Sequence, residues 1–455
     1  MLHLSDLPLD LLAKIADFLP TLDVLRLTEA SNYFHDLVFI FRFKDSIELS
    51  KIQSLPYFDS FVNIEFKVSG YRLPKATRHL HWHSKLPIKF KLQESITHLY
   101  LNGEYNHPLP ELPTSLTHLK LNYYFTCVLP ELPAGLTYLD LGKYNHPLPS
   151  LPPALEHFIM GLSYNHPISI LPSSLIHLEL SYNYNHPLPP LPDSLKHLKL
   201  NHEYVHQFAI LPKSLIRLNL NGYRQLLPEL PDNLVYFDCG IYYNHAISRF
   251  PDSLTTLIIG NNYNYRLPPF PMKLIKLDLG NEYNFPVLEF PDSLKMLRLN
   301  NHSRVHLPNS LTHLTLNSPH NVLSTLPDSI THLTLGYNYH GSLPIFPNLL
   351  THLILCDNYN GTLPQLPNTL THLTLGYYYN QPLPLLPDSL LYLDLNYYYN
   401  QPIICLPNLL EHLILSQYYD QSLPPLPDSL QKLKVKKTYN LPQDISHKID
   451  IEFFD

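Results

Sequence analysis

One pattern of apolar and polar residues returns about every twenty positions along most of the chain. Residues 366–395, LPNTLTHLTLGYYYNQPLPLLPDSLLYLDL, contain this pattern twice. Leu373 and Leu375 alternate with polar neighbours, and this period of two directs both side chains to one face of a strand. Each repeat is therefore predicted to contribute a strand of about three or four residues.

Prolines occupy much of the remaining repeat and argue against a helix there. Pro382, Pro384 and Pro387 each lack a backbone donor and favour an extended conformation in the preceding residue. The return path is thus expected to be extended or polyproline-like. Because one repeat cannot bury a core of its own, stability must come from stacking of neighbours through parallel strands. The pattern predicts a mainly β solenoid.

The repeats and the segments around them predict four regions of the chain. These are a helical module at 1–40, degenerate repeats or a capping region at 41–98, the regular solenoid at 99–435, and a C-terminal cap or tail at 436–455. The strand position recurs at a spacing of mostly 20 residues. A shorter step between Leu297 and Leu314 predicts an irregular seam near residues 300–322.

The first forty residues follow a helical period instead. Leu11, Ile15 and Phe18 are spaced for one face of a helix that ends at Pro20. Helix caps are expected at Asp6, Thr21 and Ser31. Three helices this short cannot bury enough surface to be stable alone. The module must therefore pack on the repeats or on a partner.

This helical segment resembles an F-box. The residues that carry the resemblance are Leu7, Pro8, Asp10, Leu11, Leu12, Ile15, Phe18 and Leu19. Members of that family dock onto a Skp-type adaptor, which joins a cullin–RING ubiquitin ligase, so the resemblance implies the same partners here. The adaptor-binding residues that it implies are Leu7, Pro8, Leu11, Ile15, Phe18 and Leu19. The alternative is a helical cap that seals the first turn of the solenoid.

The repeats resemble FNIP repeats, which are relatives of leucine-rich repeats. The Phe-Asn-x-Pro of that family is written here as Tyr-Asn-His-Pro at 144–147 and as Tyr-Asn-Gln-Pro at 379–382. The resemblance implies a right-handed, leucine-rich-repeat-like solenoid of parallel strands with an extended or polyproline convex side. Proteins that combine an F-box with FNIP repeats are known from slime moulds and from giant viruses of the mimivirus type.

Tyr-Asn pairs such as Tyr144-Asn145 follow the strand position in register. We expect the tyrosines to stack on one another from turn to turn. The asparagines are expected to be buried, where their amide groups can bond to the backbone of adjacent turns. Both residue types are interpreted as structural.

The residue before the first strand leucine is predicted to face outward on the concave side. It is histidine at positions 79, 98, 118, 157, 177, 197, 313, 332, 352, 372 and 412. Such a row could in principle bind a transition metal, but no third ligand or supporting carboxylate recurs beside it. We interpret the row as stacked neutral imidazoles and predict neither a metal nor a cofactor.

Between the two histidine blocks the outward positions become chemically mixed. These positions, called the mixed patch, are Arg217, Tyr236, Asp238, Lys276, Asp278, Met296 and Arg298. Specific protein partners are recognised by aromatic and arginine anchors of this kind. We therefore predict that the mixed patch binds an unidentified target protein. The alternative is simple decay of the repeat.

Composition and charge narrow the class of protein. The net charge is −7 without a run of Lys or Arg, so neither nucleic acid nor a membrane is an expected partner. Four cysteines without a C-x-x-C pair suit reduced thiols. No signal peptide or long apolar run is evident. We expect an intracellular, cytoplasmic protein that is not secreted, in the host cytoplasm if the chain is viral.

No phosphate loop, nucleophile elbow or metalloprotease motif occurs in the sequence, and we predict that the protein is not an enzyme. Our leading hypothesis is a substrate-recognition subunit of an SCF-type cullin–RING ubiquitin ligase. In it the helical module would hold the adaptor and the repeats would bind the target. The alternative is a non-enzymatic repeat scaffold for protein–protein interaction without a role in ubiquitin transfer.

Overall fold

A computed structural model describes residues 7–29, 37–67, 72–287, 289–299, 306–317, 325–337, 339, 341, 343–441 and 449–454. The chain forms two compact units, Met1–Leu218 and Asn219–Asp455. Two expected caps, Asp6 and Ser31, lie outside the described residues. The predicted seam is described only at 306–317.

The first unit begins with helices and continues as a series of short strands. The helices are α1 (Leu9–Ala16) and α2 (Thr21–Glu29), followed by three-residue 3-10 helices at Leu37–Phe39, Leu49–Lys51 and Phe58–Ser60. The strands are β1 (Ile47–Glu48), β2 (Asn63–Phe66), β3 (His79–Trp82), β4 (His98–Leu101), β5 (His118–Lys120), β6 (Tyr138–Asp140), β7 (His157–Ile159), β8 (His177–Glu179) and β9 (His197–Lys199). Strand β10 (Arg217–Asn219) falls at the boundary in sequence between the two units.

The second unit consists of strands joined by irregular segments. They are β11 (Tyr236–Asp238), β12 (Thr256–Ile258), β13 (Lys276–Asp278), β14 (Met296–Leu299), β15 (His313–Leu316), β16 (His332–Leu335), β17 (His352–Ile354), β18 (His372–Thr374), β19 (Tyr392–Asp394), β20 (His412–Ile414), β21 (Lys432–Lys436) and β22 (Asp450–Phe454). No helix in the described part of either unit is long and apolar enough to cross a membrane.

Successive strands of each unit pair in parallel, which confirms the predicted solenoid. Leu99 of β4 lies opposite Leu119 of β5, and Leu373 of β18 lies opposite Leu393 of β19. All four side chains are completely buried. The row of leucines therefore forms a continuous apolar column in each unit, because every turn covers the exposed side of the turn before it.

The tyrosines of the Tyr-Asn pairs form a second buried column. Tyr379 and Tyr399 stack with ring centroids 6.2 Å apart and 7° between the ring planes. In some turns the hydroxyl group also reaches the return segment, where the backbone N–H of Ile247 donates to the oxygen of Tyr263 at 3.3 Å. A phenylalanine could not accept that hydrogen bond. This is a physical reason for the tyrosine at the position where FNIP repeats have phenylalanine.

The asparagines of the Tyr-Asn pairs are more exposed than expected. Asn106 and Asn185 lie on the surface because each follows a buried tyrosine and points the other way. Their side-chain oxygens nevertheless bond to the next turn, accepting the backbone N–H of Thr126 at 2.9 Å and of Val205 at 3.2 Å. The expectation of a bonded ladder holds, but the expectation of burial is wrong.

A different residue forms the buried polar ladder, namely the first residue after the strand leucines. The amide of Asn122 donates to the carbonyl of Tyr105 at 3.0 Å, and the amide of Asn201 donates to that of Tyr184 at 2.9 Å. Both side chains are nearly inaccessible to solvent. They satisfy carbonyl groups that the tyrosine column would otherwise leave buried and unpaired.

Candidate functional site

The helices at the start of the first unit divide their apolar residues between two sides. Leu12 and Ala16 of α1 and Val24 of α2 are buried against the rest of the unit. A second set remains in solvent, namely Leu9, Leu11, Phe18 and Leu22. The described part of the module therefore buries one set of apolar side chains in the unit and leaves another set exposed.

The predicted adaptor-binding residues fall into two groups. Pro8, Leu11 and Phe18 are exposed, and Phe18 reaches 90% exposure. The other three are only half-exposed, namely Leu7, Ile15 and Leu19. Leu9 and Leu22 are also exposed and were missed, because neither is among the residues that carry the F-box resemblance.

Hydrogen bonds to the segment before β1 hold the start of α2 in place. The backbone N–H of Thr21 donates to the carboxylate of Asp45 at 2.9 Å, and the Thr21 hydroxyl accepts the Asp45 N–H at 3.1 Å. A carboxylate at the start of α2 also suits the helix dipole. The N-cap of α1 is Pro8, which makes no side-chain hydrogen bond, and not Asp6 as the sequence predicts.

The outward histidines stack along the strands, as the sequence predicts. In the second unit His332 and His352 lie with ring centroids 4.2 Å apart and 11° between their planes. The Nδ1 atom of each ring is hydrogen-bonded to the hydroxyl of the preceding threonine, at 2.8 Å from Thr331 and 2.9 Å from Thr351. The threonines were not singled out in the sequence, although the Thr-His dipeptide recurs there.

Burial and neighbouring charge keep these imidazoles neutral. Partial burial is the main cause that lowers the pKa of His332 to about 4, and repulsion from His313 and His352 adds to it. The pKa of His98 in the first unit also falls to about 4, again chiefly through burial and then through His118. Neutral stacked rings agree with a structural role. Among the described residues, no group of three or more His, Cys, Asp or Glu side chains is placed to hold a metal ion.

The residues of the mixed patch lie on four strands. Arg217 belongs to the first unit, on β10. The others belong to the second unit, with Tyr236 and Asp238 on β11, Lys276 and Asp278 on β13, and Met296 and Arg298 on β14. Strands β13 and β14 are neighbours, and they bring Lys276 beside Met296 and Asp278 beside Arg298.

The carboxylates of the mixed patch already have protein partners. Asp238 accepts hydrogen bonds from the amide of Asn219 at 3.1 Å and the hydroxyl of Tyr236 at 3.4 Å, and burial raises its pKa. Asp278 forms an ion pair with Arg298 at 3.3 Å. Lys276 and Met296 are exposed. Within the second unit, the surface thus combines fixed carboxylates with the exposed side chains of Lys276, Met296 and Arg298, and no arrangement of a nucleophile and a base is seen in it.

Comparisons with known proteins identify both parts of the chain. An F-box domain model matches residues 4–46. An FNIP repeat model matches six segments, at 105–144, 144–183, 184–223, 358–398, 379–418 and 399–438. No curated protein sequence matches the chain significantly.

Solved structures show the same kind of repeat. CroV588, described as a novel circular LRR protein, is 30% identical with a TM-score of 0.64, and the match covers 90% of this chain and 67% of that one. YopM from Yersinia enterocolitica is 24% identical with a TM-score of 0.52 over 83% of this chain and 87% of its own, a likeness in fold alone. With its F-box and its repeats both matched, the chain belongs to the F-box and FNIP-repeat proteins, a leucine-rich-repeat-like family of protein-interaction modules.

Proposed function

We propose that the protein is the substrate-recognition subunit of an SCF-type cullin–RING ubiquitin ligase. Its F-box would bind a Skp-type adaptor, its repeats would bind a target protein, and other subunits would carry out ubiquitin transfer. F-box domains generally bind Skp1-type adaptors, and the match at residues 4–46 therefore supports the first contact. The alternative is a repeat scaffold whose F-box serves another interaction.

The observation that carries the proposal is the uncovered apolar stripe of α1 and α2. Phe18 is 90% exposed and Leu22 is 58% exposed, whereas Leu12 on the inner side is 1% exposed. Several large apolar side chains exposed on one small module mark an interaction site. A module that served only as a cap for the repeats would need the inner stripe and would not need the outer one.

The test is co-precipitation of a Skp-type adaptor by the double variant Leu11→Asp with Phe18→Asp. Both side chains are exposed, so the variant should fold while losing the adaptor. Ile15 and Leu19 are half-buried, and aspartate at those positions would also disturb the packing of the helices. Ile345→Asp is the matched control, because Ile345 is an apolar side chain with 88% exposure in the repeats.

Three outcomes separate the two functions. Loss of adaptor, cullin and target ubiquitination in the double variant, with all three retained in the control, supports the ligase subunit. Retention of the adaptor by the folded double variant contradicts it. Adaptor binding without any effect on ubiquitination of the bound proteins would favour the scaffold.

We further propose that the mixed patch contributes to target binding. Lys276 and Met296 are the exposed pair on adjacent strands, and they can be changed without breaking the ion pair of Asp278 and Arg298. Lys276→Ala with Met296→Ala should reduce cross-linking of co-purified targets to β13 and β14. His332→Thr with His352→Thr serves as the comparison. Equal loss of targets from the histidine variant would contradict this location.

A further inference from the structure

Five tyrosines of the second unit stand together in the turns that follow β18, β19 and β20. They are Tyr377, Tyr378, Tyr397, Tyr398 and Tyr418, here called the tyrosine rim. Tyr378 and Tyr418 are about half exposed, at 51% and 50%, and Tyr398 is exposed to 37%. The next tyrosine of each turn is completely buried in the structural column, so the rim is not required for that column.

The rim consists of two rows of rings that meet nearly at a right angle. In the outer row Tyr378 stacks on Tyr398 at 5.3 Å, and Tyr398 stacks on Tyr418 at 5.0 Å. In the inner row Tyr377 stacks on Tyr397 at 4.4 Å. The planes of the two rows are inclined by 70–82°. The rows therefore form an angled aromatic surface along the direction in which the turns stack.

Backbone hydrogen bonds hold the rim in this arrangement. The N–H of Tyr378 donates to the carbonyl of Asp357 at 2.8 Å, and the N–H of Tyr398 donates to that of Tyr377 at 3.1 Å. Asn396 begins the middle turn in the left-handed region with φ of 56°, which asparagine tolerates, and its amide bonds to Leu375 at 2.9 Å. A surface fixed before binding loses little entropy when a partner arrives.

Some hydroxyl groups of the tyrosine rim bond to one another, and others are available to a binding partner. Those of Tyr377 and Tyr418 are both bonded to Tyr397. Within the described residues, the hydroxyls of Tyr378 and Tyr398 have no hydrogen-bond partner and can donate to a bound chain. The neighbouring Tyr397 phenol raises the pKa of Tyr418 still further above neutral pH.

No other described turn of the second unit has tyrosine at both of these positions. The same two positions are Asn261 and Asn262 after β12, and Asn281 and Glu282 after β13. The fold therefore does not require an aromatic residue at either position. Among the described turns of the first unit, one has two exposed tyrosines, Tyr123 and Tyr124, and no described neighbouring turn extends them into rows.

We propose that the tyrosine rim binds a proline-rich segment of a partner protein in the polyproline II conformation. Aromatic surfaces with tyrosine hydroxyls suit this ligand, whose carbonyl groups are solvated acceptors and whose prolines pack on rings. The dimensions agree as well. The outer row spans two stacking steps, roughly 10 Å, and one polyproline II turn of three residues advances roughly 9 Å. This site involves only the repeats and is independent of adaptor binding by the F-box.

The test uses fluorescently labelled decaproline with the full chain, and a glycine–serine peptide of equal length as the reference ligand. Decaproline should bind more tightly than the reference in fluorescence anisotropy. Tyr378→Ser with Tyr398→Ser and Tyr418→Ser should weaken it at least about tenfold, equal to about 1.4 kcal/mol. Tyr123→Ser with Tyr124→Ser is the matched control and should bind decaproline like the unmodified chain.

A second measurement does not depend on the folding of a variant. Hydroxyl-radical footprinting of the unmodified chain should show protection of Tyr378, Tyr398 and Tyr418 by decaproline and none at Tyr123 and Tyr124. Equal binding of both peptides, unchanged affinity in the folded triple variant, or the absence of protection at the rim would each overturn the proposal. Loss of the adaptor in the F-box variants would leave these results unaffected.

Discussion

The histidines of β15–β18 stack more closely than those of β7–β9. In the second unit, the centroids of His313, His332, His352 and His372 follow one another at 4.1–4.2 Å, with planes within 9–12°. In the first unit, His157, His177 and His197 are separated by 5.7 and 5.8 Å, with planes inclined by 29° and 33°. Both sets of strands pair in parallel with the histidines directly opposite one another, so we look for the difference in the side chains around the rings.

The residue before each histidine explains the difference. In β15–β18 it is threonine, whose hydroxyl bonds to Nδ1 of the ring at 2.8–2.9 Å. At Thr351 the hydroxyl also lies 3.0 Å from the backbone carbonyl oxygen of Thr331 in the previous turn. Before the histidines of β7–β9 the residues are Glu156, Ile176 and Lys196. Where a threonine precedes both histidines, the rings stack closely and nearly parallel. His79 and His98, of which only His98 follows a threonine, also lie 4.1 Å apart, but their planes are inclined by 34°.

Strands β4 and β5 provide an independent case within the first unit. Thr97 and Thr117 precede His98 and His118, and both hydroxyls bond to Nδ1, at 2.8 and 2.9 Å. The two rings stack at 4.0 Å with 13° between the planes. Close and nearly parallel stacking therefore occurs in both units where each histidine of the pair follows a threonine.

The largest expected effect is a loss of stability in acid from the close block. The pKa of His332 is about 4 in the folded chain, against roughly 6.5 when unfolded, chiefly through burial. Between these values the unfolded chain binds more protons, so stability falls as the pH decreases from 6.5 towards 4. Replacing all four histidines of β15–β18 by threonine should reduce the drop in melting temperature between pH 7.5 and pH 5 by roughly 5 °C.

A matched variant locates this effect. His157→Thr, His177→Thr and His197→Thr remove the loosely stacked block and should reduce the acid-induced drop less. The charged residues of the strands that flank the close block, Arg298 on β14 and Asp394 on β19, remain unchanged in both variants. If the unmodified chain loses no more on acidification than the quadruple variant, the close block does not titrate as a coupled array.

The second prediction removes the orienting hydroxyls. Thr331→Val with Thr351→Val keeps the shape of the side chains and deletes their hydrogen bonds to Nδ1 and to the previous turn. Each lost bond costs about 1 kcal/mol, so the melting temperature at pH 7.5 should fall by a few degrees. Thr315→Val with Thr334→Val, on the outward positions two residues after the histidines, is the control. An equal loss in both variants would show that the hydroxyls act through general strand stability.

The strand columns could be read from the sequence because their period is set by the backbone. Leu373 and Leu375 must both face inward once the strand is extended, and twenty-residue spacing then aligns every turn. The buried ladder was assigned to the wrong residue for a related reason. The turn that follows the strand, which has no simple period, decides that Asn122 points inward and Asn106 points outward.

The surfaces were less predictable than the core. Leu11 and Phe18 could be identified from the F-box pattern, whereas Leu9 and Leu22 became apparent only through their exposure. The tyrosine rim also escaped notice, because in Tyr377-Tyr378-Tyr379 three identical residues have different environments and only the last enters the core. Periodicity identifies which residues are buried, but it does not show which exposed residues meet across neighbouring turns.

The smallest expected effect comes from introducing threonines before the loosely stacked histidines of β8 and β9. Ile176→Thr with Lys196→Thr places a hydroxyl before His177 and His197 of the first unit. If the dipeptide is sufficient, a crystal structure of the variant should show their centroids approaching from 5.8 Å to about 4 Å, as His98 and His118 do. Burial and the adjacent His157 and His197 already lower the pKa of His177, and closer rings should lower it further. The melting temperature should then fall by a degree or two more between pH 7.5 and pH 5 than in the unmodified chain.

Ile176→Val with Lys196→Val, which adds the branched shape without the hydroxyl, should leave the spacing unchanged. Centroids that stay near 5.8 Å in the threonine variant would mean that neighbouring strands, and not the threonine, determine the stacking distance.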